Sequence, residues 1–254
     1  MIDLHIHTNN SDGSDSVIDV LKKAQKHELS YMSITDHESV NGHYELRNID
    51  VKQYFSGKII PGVELKNYYK DRVIDILAYN IDIDKFNEYL EKNYKNKTHR
   101  MLESKNLKHL YKQAKAYGLT LDPIEEIKWD PDSDWGSVIV YNEIKKHPEN
   151  EAKVPKDLWE SFSNFKKDYV YNRNNMFFLD NYPSPAETVK QVHLAGGVAF
   201  LAHVHEYRWV KDKIQYITEL VKNSNLDGIE CYYSNFTEEQ IKELLEYCKK
   251  NHLY

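Results

Sequence analysis

Residues 1–16 read MIDLHIHTNNSDGSDS. Alternate side chains of a strand face opposite ways. Ile2, Leu4 and Ile6 therefore mark the buried face of a first strand, and His5 and His7 share the other face. A polar turn follows, carrying Asp12. Two histidines side by side on a strand in a fold interior need partners, and a metal ion suits them. The same His-x-His is also the pattern of two plain surface histidines. Later strands decide between the two.

Composition narrows the classes. A chain of 254 residues can bury a full core, as one large α/β domain or a domain with a sizeable insertion. With 41% apolar and 29% charged residues it reads as a folded protein, not a disordered or membrane one. A net charge of −6 argues against an extended nucleic-acid surface. The 20 tyrosines could stack on bases, although dispersed tyrosines more often edge a core. Cys231 and Cys248 form no CxxC pair and fall in different expected elements, which suggests a reducing, cytoplasmic setting. No leader-like stretch opens the chain and no run is long enough to span a bilayer, so no membrane partner is expected.

Further along, Ser16 and Asp19 read as a helix cap before Val17, Val20, Leu21 and Ala24, which repeat at helical spacing. LSYMSITDHE reads as a second strand, KIIPGVEL as a third ending at Glu64, and RVIDILAY as a fourth. A short helix is expected near Val40–Arg47. Strand–helix alternation predicts parallel βα units. It breaks over about 84–184, a charged, aromatic-rich stretch read as an inserted helical subdomain, and resumes from 185. Helices are expected over Ser184–Ala195, Ile214–Asn223 and Thr237–Asn251. Strands are expected over Gly197–Val204 and Leu226–Tyr232. The domain reading is thus 1–83 with 185–254, interrupted by 84–184.

Chemistry in parallel α/β folds collects at strand carboxyl ends. Here those ends offer His5, His7 and Asp12, then Asp36 and His37, then Glu64, then Asp75, then His203 and His205. Hydrogen-bonded core histidines explain one such end, but not five in succession. Imidazole and carboxylate without sulfur suit Zn, Mn or Fe, and a glutamate among histidines suits a bridge between ions. A multinuclear metal site is the reading.

DLHIHTNNSDGSDS, ITDHES, IPGVEL, GGVAFLAHVHE and DGIECYYSNFTEEQ, in that order, resemble the PHP (polymerase and histidinol phosphatase) family over essentially the whole chain. The branch resembled is that of stand-alone phosphoesterases with a helical insertion. This resemblance implies an α/β fold, a distorted (β/α)7 TIM-like barrel, binding two to three divalent ions. Residue by residue it places His5 and His7 on one ion, Asp12 and His37 on a second, Glu64 bridging, and His203 on a third. Glu64 and Asp36 are then the residues expected to serve catalysis, Asp36 by orienting its neighbours. The family's strand-four histidine is replaced by Asp75, a ligand that favours a harder ion such as Mn. Val204 stands where a proline is usual, and His205 either substitutes as a ligand or faces solvent. A final strand bearing GSDxHG is not found, so a barrel one strand short is expected.

The implied activity is hydrolysis of a phosphate monoester, of a nucleotide or other small metabolite, by metal-activated hydroxide. No nucleophile elbow and no phosphate-binding P-loop is present. His99 and Arg100, in the insertion, are the candidate substrate residues, Arg100 through bidentate contact with phosphate. Two alternatives stand beside this. One is 5′–3′ exonuclease or phosphodiesterase action on short RNA, and the other is an inactive metal-binding remnant.

Overall fold

The computed structural model describes the backbone of residues 1–95, 99–179 and 182–254, and the side chains of 1–94, 102–179 and 182–254. The elements in chain order are β1 (Ile2–Ile6), α1 (Val17–Lys26), β2 (Tyr31–Ile34), α2 (Asn41–Leu46), β3 (Lys58–Ile59), β4 (Gly62–Tyr69), β5 (Arg72–Tyr79) and α3 (Ile83–Leu90). Helices α4 (His99–Ala116), α5 (Gly136–Lys146), α6 (Lys156–Glu160) and α7 (Phe162–Asn164) follow. The chain closes with α8 (Pro185–Leu194), β6 (Val198–Leu201), α9 (Lys213–Ser224), β7 (Gly228–Ile229) and α10 (Glu238–Asn251). Two compact units result: residues 1–69, 74–93 and 182–254 form one, and 70–73 with 94–181 the other.

The first unit is α/β. β1, β2 and β3 form a parallel sheet in which Ile2 faces Tyr31 and Tyr31 faces Lys58. Helix α1 starts where its cap predicts, with the Ser16 hydroxyl accepting from the Asp19 N–H. Its buried stripe of Val17, Val20, Leu21 and Ala24 packs against Met32 and Ile34 of β2. A second sheet runs β4-β5-β6-β7. A parallel bridge between His37 and Glu64 connects the two sheets, as the Glu38 N–H donates to the Glu64 carbonyl at 2.8 Å.

Three strand expectations need correction. KIIPGVEL is two strands, since Pro61 has no N–H to donate; β3 stops at Ile59, and β4 starts at Gly62 and runs on past Glu64 to Tyr69. β5 is not a parallel unit. Only Lys70 and Asp71 separate it from β4, too few residues for a parallel crossover, and it pairs antiparallel with β6. β7 is confined to Gly228–Ile229. The strands therefore form two sheets that do not close into a ring among the described residues. Between β1 and β7 lies a cleft of about 710 Å³ lined by Leu4, Ile60, Tyr79, Phe200 and Ile229. The main chain of Tyr254 pairs with Asp227 and Ile229 along β7.

The second unit is helical. Leu107 and Leu110 of α4 pack with Val140 and Ile144 of α5 and with Phe165 and Phe177. Helix α5 carried no expectation. Its first residue, Gly136, lies so near α4 that a Cβ there would sit 2.6 Å from the Leu107 nitrogen. No helix among the described residues is long and apolar enough to cross a membrane. The Cys231 and Cys248 sulfurs, 17 residues apart in sequence, lie 3.6 Å apart and buried.

Candidate metal centre

Glu64, 1% exposed, is the hub of the first unit. β4 reaches this place by packing tightly beside β2: a Cβ on Gly62 would sit 2.4 Å from the Ser33 hydroxyl. One Glu64 oxygen lies 3.2 Å from His5 Nε2, 3.1 Å from His7 Nε2 and 3.4 Å from His37 Nδ1. The other lies 3.0 Å from His203 Nε2. Four histidines from three strand ends thus converge on one buried carboxylate.

Acidic groups ring the histidines. Glu230, just after β7, holds His5 Nδ1 at 2.8 Å and accepts the His203 N–H at 2.7 Å. Residue 203 has φ 26, a strained backbone held in place by that bond, and it aims the ring inward. Asp12, mostly exposed, reaches His7 Nδ1 at 3.3 Å and His37 Nε2 at 3.6 Å. Asp75 lies 3.8 Å from His203 Nε2. Asp75 stands in the middle of β5, which runs antiparallel to β6, and not at a carboxyl end; it still faces the same cluster. Lys66, two residues beyond Glu64 on β4, places its ammonium 3.0 Å from His37 Nδ1 and 3.7 Å from Glu38.

The charges follow from this packing. Burial raises the Glu64 carboxyl, yet hydrogen bonds from His203, His5 and His7 outweigh it and hold the group well below the carboxylate range. Burial lowers His5, but Glu230 and Glu64 together carry it up to about 10. His203 is raised against its own burial by Glu64 and Asp75. His37 is pushed down to about 3 by burial and by Lys66. Burial raises Asp75, with Glu64 adding to the effect.

These groups fit divalent cations. The donors are imidazole nitrogens and carboxylate oxygens, and Asp75 Oδ1 and His203 Nδ1 are buried with no hydrogen-bond partner. The acidic groups raise both His5 and His203, and divalent cations would compete with protons for the same nitrogens. Three overlapping sets have ligand atoms within 4.8 Å: His5–His7–Glu64, His7–Asp12–His37 and His37–Glu64–Asp75.

The structure thus brings His5, His7, Asp12, His37, Glu64, Asp75 and His203 together. Asp36 stands behind them. It is fully buried and accepts from the Thr8 N–H, the Thr8 hydroxyl and the Ser11 hydroxyl at 2.6–2.7 Å, fixing the loop that carries Asp12. His205 packs its ring on Phe236 and belongs to none of the three sets. The side chains of His99 and Arg100 lie outside the described residues.

Sequence reasoning missed Glu230 and Lys66. GIEC carries Glu230 at the end of an apolar run, a signal of the kind used for Glu64. Lys66 was hidden by ending its strand too early. A separate Asp122–Glu143–His147 cluster in the helical unit, also missed, has Lys146 as its cation.

Comparison with known proteins identifies the lineage. The family model for the PHP domain matches residues 3–253. The chain belongs to the PHP domain family. A 5′-3′ exoribonuclease of Haemophilus influenzae is similar to this PHP domain, 22% identical over 248 residues, covering 98% of this chain and 85% of that protein. Two solved structures share the fold. A protein named as a metal-dependent phosphoesterase, from Bifidobacterium adolescentis, is 20% identical with a TM-score of 0.65, covering 99% of this chain and 84% of that one. An amidohydrolase from Chromobacterium violaceum, solved with sulfate bound and no metal, is 19% identical with a TM-score of 0.67, covering 100% and 84%. The chain is thus a PHP domain that carries His, Asp and Glu clusters suited to metal.

Proposed function

We propose that this PHP domain hydrolyses a phosphate monoester of a nucleotide or similar small metabolite, using divalent ions of the Mn, Zn or Fe type. The observation that carries the reading is the convergence of His5, His7, His37 and His203 on buried Glu64. In this proposal Glu64, the four histidines, Asp12 and Asp75 are the residues that would hold the ions, and Glu230 orients His5 and the His203 backbone. When bound, such ions supply a strong nucleophile at neutral pH and neutralise charge on the transferring phosphoryl group. The protein's part is to hold the donors in place before substrate arrives. Asp36 does so for the Asp12 loop, and Glu230 for β1 and β6. A cytoplasmic setting belongs to the same proposal.

The Haemophilus influenzae relative favours a second reading, hydrolysis of short RNA from the 5′ end. Both are tested by incubating the Mn2+-loaded chain with adenosine monophosphate, a nucleoside 3′,5′-bisphosphate and a short RNA. Release of inorganic phosphate from the first two supports the monoesterase. Release of mononucleotides from RNA alone replaces it with the second reading.

A further inference from the structure

The three ligand sets share residues, and the sharing limits how many ions they hold. His37 belongs to two of them: its Nε2 faces Asp12 and its Nδ1 faces Glu64. A neutral imidazole has one lone pair, so His37 serves one ion, through one nitrogen. The His37–Glu64–Asp75 side is where the Lys66 ammonium lies. It sits 3.0 Å from His37 Nδ1, is held by Glu38, and its charge favours the ionised form of Asp75. Lys66 is set there by the backbone. Side chains two apart on a strand share a face, so Glu64 directs Lys66 to its own side. Glu38, at φ 48, accepts the Lys66 N–H at 2.9 Å and so ties the strand to the loop after β2.

We propose that the Lys66 ammonium fills the His37–Glu64–Asp75 position in place of a divalent ion. The chain then holds two ions, and Lys66 is the cation that meets a phosphate oxygen of the substrate. A lysine suits both roles: it is a compact charge on a flexible stem, and ammonium groups bind phosphate as point charges. The position keeps its positive charge without metal, while His5, His7 and Glu64 remain for one ion and Asp12 with His37 for the other, His7 serving only the first by the same lone-pair limit. The phosphate contact rests on the phosphoesterase reading, whereas the ion count does not.

The ion count is therefore measured first. The whole chain is dialysed to equilibrium against excess Mn2+ and assayed for bound metal, alongside Lys66→Met and Lys66→Arg. Two ions in the wild type and in Lys66→Arg are expected, and three in Lys66→Met, where Glu64, Asp75 and His203 are left to hold the third without His37. Three ions in the wild type or in Lys66→Arg, or no increase in Lys66→Met, overturns the proposal whatever substrate is cleaved. Should Lys66→Met fail to fold, the wild-type and Lys66→Arg counts still decide. Inorganic phosphate as competitor tests the contact. Measured with two equivalents of Mn2+, so that the vacated position stays without metal, its inhibition constant should rise roughly tenfold in Lys66→Met with little change in Lys66→Arg. An unchanged constant in Lys66→Met overturns that part.

Discussion

At the residue scale, second-rank side chains hold the site together, and His43 on α2 is one. Its Nε2 sits 2.9 Å from the Ile34 carbonyl and 3.0 Å from that of Gly62, joining β2 to the start of β4. Burial depresses its pKa more than those two carbonyls raise it. The unfolded chain, with histidine near its ordinary value of about 6.5, binds the proton more readily than the folded one. Stability from this group is therefore complete above about pH 6.5 and is lost as pH falls below it toward the folded value. Urea midpoints taken near pH 7.5 and pH 5.5 should fall further for the wild type than for His43→Gln. Equal falls would remove His43 as the cause. Residues of this kind are hard to read from sequence. His5, His7, His37 and Glu64 announce themselves by ending apolar strands, whereas His43 sits in a short helix and its partners are main-chain carbonyls.

Local rules placed single elements well where the pattern was self-contained. Helix α1 follows from the Ser16 cap and its apolar stripe, and α10 from the Thr237 capping box. Pairing direction was not legible in the same way. RVIDILAY reads as a buried strand in either orientation, and only the two-residue link at Lys70–Asp71 makes it antiparallel. The error left Asp75 in the site, because a side chain on the inner face meets the cluster from either direction. Ending the third strand at Glu64 did matter, since it removed Lys66 from view. The loop between β1 and α1 depends on a tight approach at Gly13, where a Cβ would lie 2.4 Å from the His7 carbonyl oxygen. Backbone cannot yield as a flexible side chain does. Gly13→Ala should displace Asp12 and weaken Mn2+ binding, read by titration calorimetry, while the helical unit keeps its circular dichroism. Unaltered Mn2+ affinity would show that Asp12 does not depend on this turn.

At the scale of the whole molecule, the cluster concentrates charge in the first unit. Incoming ions compete there with protons for His5, raised to about 10, and for His203, raised by Glu64 and Asp75. An ion that binds the folded chain alone stabilises it by about 2.7 kcal/mol when present at a hundred times its dissociation constant. Mn2+ should therefore raise hydrogen-exchange protection in β1, β4 and β6 and leave α4 and α5 unchanged. Uniform protection across both units, or none, would contradict a site confined to the first.

The most direct test is phosphate release by the intact chain from adenosine monophosphate and a nucleoside 3′,5′-bisphosphate as Mn2+ is titrated in. Turnover that rises with Mn2+, stops on chelation, returns on re-addition and is lost in Glu64→Gln is the result predicted. Turnover indifferent to chelator or to Glu64→Gln, or no phosphate release at saturating Mn2+, would contradict the account.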